Sequence, residues 1–599
     1  TMATTTLTHS SADAIIPYTP KRIWWKEASV YQIYPASFCD SNGDGIGDIP
    51  GIISKLDYLK TLGIDVVWLC PVYKSPQVDM GYDIADYCAI HPPYGTLEDV
   101  EKLIAGLHER GMKLVMDLVV NHTSDQHEWF KESRDRNSSK RDWYIWRKPV
   151  YDEQGNRCPP NNWASIFGGS AWAFDDESGE YYLRLFAKEQ PDLNWDNPFV
   201  VKEVHDIMRF WLDKGVDGFR MDVINLISKI PGLPDAPVTV PDEVFQPAHA
   251  CYANGPRLHE FLRGLREILD QYDAFAVGEM PWAKDEADVI SAVASDRKEL
   301  NMIFQFDIVD MDNGPEGKFS QRSWSIQTLK DIVDKWQTCM YENNGWNALF
   351  LENHDQSRSV SRFTPHKAAH RKYAAKMLAT FIGFQSGTLF VYQGQELGMS
   401  NLPGTWPIED YKDIETQNFY QLALERFAGD EVCMGLFLDE VRLKARDHAR
   451  SPVQWNAEKY GGFSTSMPWM RVNDDYAEWN AESQAADPTG ILSYWRRVLE
   501  LRKQHWDIFI YGRFAMIDRD HPYIICFKRV TKTASATVVA NFTDRDQHWS
   551  VPPDEATSLA NGKIVLSNYE APGQPHDGVL FLRPYESFVV LGEEDGVVV

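Results

Sequence analysis

Short apolar runs, each followed by polar residues and then by an amphipathic stretch, repeat between Val30 and about Glu396. Strands that alternate with helices in this way indicate parallel βαβ units. Eight such runs are present, which is the number that closes a barrel. The pattern therefore predicts an α/β fold, a (β/α)8 barrel. The strand candidates are residues 30–34, 65–70, 113–120, 218–221, 275–277, 302–306, 348–351 and 388–392.

Two stretches between these runs have clear helical periodicity. In residues 96–111, apolar side chains recur on one face, Thr96 is a suitable cap for the first turn, and Gly111 ends the pattern. Residues 201–215 repeat the pattern and also end at a glycine. Both are predicted to be helices of the barrel's outer layer.

The alternation is interrupted twice. Residues 124–196 are rich in Asp, Asn, Gly, Pro and Trp and lack helical periodicity, which predicts a small irregular domain inserted after the third strand. From residue 513 the pattern changes to short strands without helices, which predicts a C-terminal β-sandwich domain over 513–599. The barrel is then expected to comprise residues 1–123 and 197–512.

The charge balance excludes several classes of partner. The chain has 60 Lys and Arg residues against 87 Asp and Glu residues, a formal charge of −27, and no basic stripe that would bind nucleic acid or an anionic membrane. Aromatic residues make up 13% of the chain, and flat rings suit the faces of sugars as well as large cores. A small neutral substrate is therefore expected, with the chain a monomer or a weak homo-oligomer.

The cysteines and the hydropathy indicate a cytoplasmic protein. The eight cysteines lack CxxC spacing and several lie in apolar runs, which is typical of free thiols in a reducing compartment. No basic segment followed by an apolar run resembles a secretory signal in the first thirty residues. No apolar stretch approaches the ~18 residues that a membrane span requires.

Three predicted strands end in acids. Asp222 follows residues 218–221, Glu279 follows 275–278, and Asp355 follows the run that contains Glu352. A lone acid after a strand is commonly a helix cap. Three such acids, beside Arg, Gly or His, are expected to meet at the carboxyl end of the barrel, where active sites of this fold assemble.

These and further motifs resemble the α-amylase family of glycoside hydrolases over nearly the whole chain. The further motifs are DLVVNH (117–122), QPDLNW (190–195) and GTLFVYQGQE (387–396). The segments SPQVDMGYD (75–83) and RDHARSPVQW (446–455) resemble the branch of α-glucosidases and oligo-1,6-glucosidases. The resemblance implies an exo-acting enzyme that releases glucose with retention of configuration.

In this family the three acids have distinct roles. The resemblance implies that Asp222 is the nucleophile, that Glu279 is the general acid and base, and that Asp355 stabilises the transition state. A retaining mechanism places the first two carboxyl groups about 5 to 5.5 Å apart. Arg220, two residues before Asp222 on the same strand face, is expected to keep it ionised. The residues implied to bind the sugar are Tyr82, Asp83, His122, Phe186, Gln190, Arg220, Val223, His354 and Arg450.

The linkage preference depends on Val223, directly after the nucleophile. Valine here resembles isomaltases, which cleave α-1,6 bonds, whereas maltases commonly have Thr followed by a small residue. One side chain shifts specificity by about 1 to 3 kcal/mol. The alternatives are an α-1,4-specific maltase, or a transglucosidase or sucrose isomerase on the same scaffold. A non-catalytic barrel that binds partners is disfavoured because the three acids are present.

A separate loop near the start resembles a cation site. Oxygen donors stand at alternate positions of the sequence DSNGDGIGD (40–48), with glycine at the sixth position, as in an EF-hand loop. Gly51 occupies the place of the usual twelfth-position Glu, so the loop is a fragment of that motif. Related α-glucosidases carry a metal here, which implies a structural Ca²⁺ or Mg²⁺ and no organic cofactor. The implied ligands are Asp40, Asn42, Asp44, Ile46 and Asp48.

Overall fold

The computed structural model describes residues 21–364, 368–573 and 575–593. Eight parallel strands close a barrel, each hydrogen-bonded to the next along the chain, with β8 pairing back to β1. The eight predicted strands are confirmed, with ends that shift by at most two residues. The strands are β1 Ser29–Ile33, β2 Val66–Leu69, β3 Lys113–Leu118, β4 Gly218–Met221, β5 Phe275–Glu279, β6 Met302–Phe304, β7 Asn347–Leu349 and β8 Thr388–Tyr392.

A helix follows each barrel strand. The main helices are α1 Leu56–Leu62, α2 Leu97–Glu109, α3 Pro198–Asp213, α4 Leu258–Leu269, α5 Glu286–Val293, α6 Ile326–Glu342, α7 Arg371–Gly383 and α8 Ile491–Gln504. Both predicted helices are confirmed as α2 and α3. Thr96 caps α2 by a reciprocal pair of hydrogen bonds with Asp99, and Asn197 caps α3. Within the described residues, no helix has both the length and the apolar character needed to cross a membrane.

The segment between β3 and α3 is irregular apart from small sheets. Its largest sheet has three antiparallel strands, Trp146–Arg147, Trp172–Asp175 and Glu180–Leu183. Buried side chains of this segment, including Trp163, form a second apolar core with residues that follow β4, including Val223. The segment is therefore packed against the loop after β4, at the carboxyl end of the barrel.

A pair of helices and then a C-terminal β-domain follow β8. Helices Ile414–Arg426 and Glu431–Lys444 precede α8. Beyond α8, strands Arg513–Ile517, Ile524–Val530, Ala534–Asn541, Lys563–Ser567 and Ser587–Glu593 form a five-stranded antiparallel sheet, and Gln547–Ser550 pairs with Val579–Leu582. The two sheets share one core. The helix Pro553–Asn561 also lies in this region, where the sequence pattern predicts strands alone.

Candidate active site

Adjacent barrel strands bring acids to one rim. Asp117 lies in β3, Asp222 directly follows β4, and Glu279 is the last residue of β5. Strand β4 is hydrogen-bonded to β3 on one side and to β5 on the other, in parallel register. Because parallel strands have their carboxyl ends at the same edge, these side chains meet there. Asp355, in the loop after β7, joins them from across the barrel.

Arg220 lies between these acids, with 1% of its side chain exposed. Its Nη1 donates to Asp117 Oδ1 at 2.6 Å and to Asp222 Oδ1 at 2.5 Å, and its Nη2 donates to Glu279 Oε2 at 2.5 Å. Buried charges are tolerated when they are paired and hydrogen-bonded. One guanidinium therefore orients three buried carboxyl groups.

The protonation of Asp222 and Glu279 is linked. Burial raises the pKa of Asp222 well above its usual range against the opposing effect of Arg220, and the charge of Glu279 raises it further. Burial also raises the pKa of Glu279 against the opposing effect of Arg220, and the negative charge of Asp355 raises it further. The two protonation equilibria are linked because both carboxyl groups bind the same guanidinium. The separation of about 5 to 5.5 Å between the two groups stays a prediction.

His354 is a neutral neighbour of Asp355. Gln32 Nε2 donates to His354 Nδ1 at 2.8 Å, which assigns the ring proton to Nε2, 3.1 Å from Asp355 Oδ2. Burial lowers the pKa of His354 to about 3, although Asp355 opposes this. The ring therefore lies against Asp355 without carrying a charge at neutral pH.

Two arginines hold Asp355 ionised. Asp355 Oδ1 accepts hydrogen bonds from Arg446 Nη1 at 3.1 Å and from Arg450 Nη2 at 3.2 Å. Burial alone would raise the pKa of Asp355, but His354, Arg446 and Arg450 together hold it well below the usual carboxyl range. A quarter of its side chain is exposed, compared with less than a tenth for Asp222, so Asp355 has more access to the solvent.

The structure adds three residues that were not predicted from the sequence. Arg446 Nη2 also donates to Asp79 Oδ1 at 3.0 Å and to Asp413 Oδ2 at 2.8 Å, and Arg450 Nη1 donates to Asp413 Oδ2 at 2.5 Å. Arg446 precedes Arg450 by one helical turn in the same motif, so its spacing was a usable signal. Asp413 caps the helix Ile414–Arg426, and nothing in its local sequence distinguishes it from other caps.

Asp83, which was predicted to bind the sugar, is instead bound by donors of its own loop. Its carboxylate is fully buried and accepts hydrogen bonds from Ser75 Oγ at 3.0 Å and from the amides of Val78 and Asp79 at 2.9 and 3.0 Å. These donors lie in its own loop and bind both of its oxygens. The carboxylate that reaches the arginines is therefore Asp79, four residues earlier.

The other predicted binding residues lie together. Tyr82 stacks on His354, with ring centroids 4.9 Å apart and an interplanar angle of 5°. His122 donates to the Tyr82 carbonyl at 3.1 Å and packs against Phe186, with centroids 5.0 Å apart. Gln190 Nε2 donates to Asp79 at 3.1 Å. Phe186 and Gln190 thus bring the inserted segment to the wall of the site.

Val223 has an unusual backbone. Its φ of 35° and ψ of 43° are left-handed, a region that a β-branched residue rarely adopts. Its amide donates to Glu279 Oε2 at 3.1 Å. Its side chain packs in the second core with residues of the inserted segment. Strain of this kind, about 1 to 3 kcal/mol, persists where the surroundings hold the residue in place.

Comparisons with known proteins identify the family. Residues 32–512 match the family model for the catalytic domain of alpha amylase. The chain belongs to the α-amylase family. It is 51% identical over 551 residues to an alpha-glucosidase from Schizosaccharomyces pombe, covering 91% of this chain and 94% of that one.

Two other relatives are comparably similar. An oligo-1,6-glucosidase from Parageobacillus thermoglucosidasius is 48% identical over 572 residues, which cover 95% of this chain and 99% of the relative. The crystal structure of isomaltulose synthase from Erwinia rhapontici NX5 superimposes with a TM-score of 0.89 at 40% identity, covering 96% of this chain and all of that one. The likeness to this α-amylase-family structure extends through all parts of the fold.

The loop of residues 40–48 has donor chemistry that fits a hard cation. Asn42 and Asp44 each accept one hydrogen bond from a backbone amide within the loop and keep further acceptor capacity. Asp40 is more fully engaged, because its two oxygens accept from three loop amides and from Ser464 Oγ. Asp48 accepts from Ser41 and from the amide of Gly51. In the described ranges, no three His, Cys, Asp or Glu side chains are grouped as a metal site. A cation here would depend on amide and carbonyl oxygens as well.

Replacing Arg220 by Met is expected to destabilise the fold by about 3 to 5 kcal/mol, since it leaves three buried carboxyl groups without their shared counter-charge. Urea unfolding followed by circular dichroism measures this. The matched control is Arg257→Met on the surface, where Arg257 binds Asp196 and Glu260, and about 1 kcal/mol or less is expected. Equal losses in the two variants would contradict the central role of Arg220.

Proposed function

We propose that this chain is a retaining, exo-acting α-glucosidase that releases α-glucose from the non-reducing end of short, neutral oligosaccharides. The observation that carries the proposal is the pair of Asp222 and Glu279 on Arg220 at the carboxyl end of the barrel, with Asp355 held by Arg446 and Arg450 and close enough to raise the pKa of Glu279. Relatives named alpha-glucosidase and oligo-1,6-glucosidase match more than nine-tenths of the chain.

The proposed reaction needs a proton on Glu279 and an ionised Asp222. Glu279 donates its proton to the glycosidic oxygen while the Asp222 carboxylate attacks the anomeric carbon, so the C–O bond to the leaving sugar breaks as the glucosyl ester forms. Glu279, now ionised, removes a proton from water, which attacks the ester and releases glucose with its configuration retained. Because burial raises the pKa of both Asp222 and Glu279, the assignment of Glu279 as the acid rests on its place in the family motif.

The remaining polar groups suit the terminal glucose. Asp355 is held ionised by Arg446 and Arg450, so it can accept hydrogen bonds from sugar hydroxyls and stabilise positive charge at the ring. His354 donates from Nε2, and Asp79 takes the binding role predicted for Asp83. Rings of Tyr82 and His122 close the inner side, which favours removal of one sugar unit at a time.

We further propose a preference for α-1,6 linkages. The support is Val223, whose apolar side chain and left-handed backbone stand between the nucleophile and the second core. An α-1,4-specific maltase is the alternative. Transfer of the glucosyl group to a sugar is a second outcome of the same covalent intermediate, and the similarity to isomaltulose synthase supports keeping it as a candidate.

A structural cation and a cytoplasmic location complete the proposal. The oxygen-only donors of the loop 40–48 suit Ca²⁺ or Mg²⁺ in a role away from the catalytic acids. The location is supported by the eight cysteines, all within the described residues, which form no disulfide. The assembly as a monomer or weak homo-oligomer stays a prediction.

Glu279→Gln is expected to lower kcat/KM on isomaltose by a factor of about 10² to 10⁴, because no proton reaches the leaving oxygen. α-Glucosyl fluoride, whose leaving group needs little protonation, should lose much less. Asp222→Asn should abolish turnover of both substrates. Proton NMR of fresh product from the wild type should show α-glucose first, and β-glucose as the first product would contradict the retaining mechanism.

Val223→Thr is expected to shift the ratio of kcat/KM for isomaltose over maltose toward maltose by about 10-fold, since one side chain changes specificity by about 1 to 3 kcal/mol. Glucose release from each disaccharide measures it. The control is Val333→Thr, a buried valine in α6, which should leave the ratio unchanged. A wild-type enzyme that prefers maltose, or an unchanged ratio in Val223→Thr, would count against the α-1,6 assignment.

Calcium added after treatment with EDTA is expected to raise the thermal midpoint of the wild type. At a calcium concentration a hundredfold above Kd, binding adds about 2.7 kcal/mol to the free energy of unfolding. Asp44→Ala should abolish this response, whereas Asp577→Ala, at an exposed position, should keep it. Differential scanning fluorimetry measures both. The cation site is refuted if the wild type does not respond to Ca²⁺ or Mg²⁺.

A further inference from the structure

A strained aromatic residue follows the proposed acid. Met280, Pro281, Trp282 and Ala283 form a tight turn after β5, in which the Ala283 amide donates to the Met280 carbonyl at 3.4 Å. Proline at the second position and a φ of 62° at Trp282 are the features of a type II turn. The third position of that turn usually holds Gly or Asn, because an L side chain there is unfavourable. A tryptophan at this position is a local cost that the turn itself does not require.

The indole ring is braced but partly open. The His249 ring stacks on it, with centroids 5.7 Å apart and an interplanar angle of 11°, and the Tyr252 ring meets it edge-on at 5.7 Å. Asn225 Nδ2 donates to the Pro281 carbonyl at 2.8 Å and so anchors the turn to the loop after β4. Trp282 keeps intermediate exposure, unlike the fully buried tryptophans of the core. The neighbouring rings therefore fix the orientation of the indole, and part of the Trp282 side chain stays exposed.

The turn is connected to the proposed acid by the chain and by packing. Trp282 is three residues after Glu279, which protonates the leaving oxygen in the proposed reaction. Glu279 is also held by the amide of Val223, and Val223 and Trp282 pack in the same apolar cluster. The leaving sugar carries the oxygen that Glu279 protonates, so it is on the side of the site from which Glu279 and the turn after it come.

We propose that Trp282, supported by His249, is a platform that binds the leaving-group sugar of the substrate. This inference rests on the proposed α-glucosidase function. The face of an indole ring suits the C–H face of a neutral pyranose, and a stacked, anchored ring loses little freedom when the sugar binds. A binding role explains why the chain keeps a bulky aromatic residue at a position where glycine would be unstrained.

Trp282→Gly and Trp282→Phe test the platform on two substrates. Isomaltose places a sugar on it, whereas α-glucosyl fluoride has a single atom as its leaving group. Trp282→Gly is expected to lower kcat/KM on isomaltose by about 10-fold or more and to change that on α-glucosyl fluoride by about 2-fold or less. Glycine relieves the left-handed strain but also removes the contacts of the indole with His249 and Tyr252, so the thermal midpoint is measured beside the activity. Trp282→Phe should retain most of the activity on isomaltose.

The outcomes separate this inference from the proposed function. If the wild type hydrolyses neither substrate, the α-glucosidase proposal fails. If the wild type hydrolyses both and Trp282→Gly lowers both equally, or lowers neither, the platform is refuted. A fall in the thermal midpoint of Trp282→Gly together with equal losses on both substrates would show a structural residue instead.

Discussion

The ion cluster around Arg220 is the constraint on which the rest of the site depends. Three buried carboxyl groups share this guanidinium, and their mutual repulsion would be severe without it. The cluster exists only because parallel register places Arg220 beside Asp117 on one side and β5 on the other. The same contacts bring Asp222 and Glu279, the proposed nucleophile and acid, to one guanidinium.

A second layer of charge surrounds this cluster and comes from distant parts of the chain. Arg446 and Arg450, after β8, bridge Asp355 after β7 to Asp413 and Asp79. Each arginine is buried and has more than one carboxylate partner, and Asp355 and Asp413 each bind both arginines, so the buried charges are paired. This arrangement keeps Asp355 ionised next to a pair of carboxyl groups whose pKa values are raised. The pKa values of Asp222 and Glu279 are raised and that of Asp355 is lowered. One site can therefore hold a protonated acid and an ionised carboxylate at the same pH.

Two residues with a left-handed backbone lie close to the proposed acid in sequence or by hydrogen bond. Val223 and Trp282 both have positive φ, both border Glu279 in sequence or by hydrogen bond, and both pack in the apolar core shared with the inserted segment. That core supplies the burial that holds them in place. The inserted segment therefore shapes the site in two ways, through Phe186 and Gln190 in its wall and through the support it gives to the loops after β4 and β5.

The sequence by itself determined the eight strands, the cap of α2, and the three acids at strand ends, because each depends on periodicity or on neighbours a few residues away. Its family motifs also predicted a sugar-binding set, most of which lies together in the structure. Only the tertiary structure distinguished the surroundings of Asp79 from those of Asp83, since both stand in one motif and differ in whether local amides already satisfy them. It also decided the cap of α3, the contacts of Asp413 with Arg446 and Arg450, and the strained turns at Val223 and Trp282. These features depend on register and on packing between segments far apart in the chain, which local patterns do not encode.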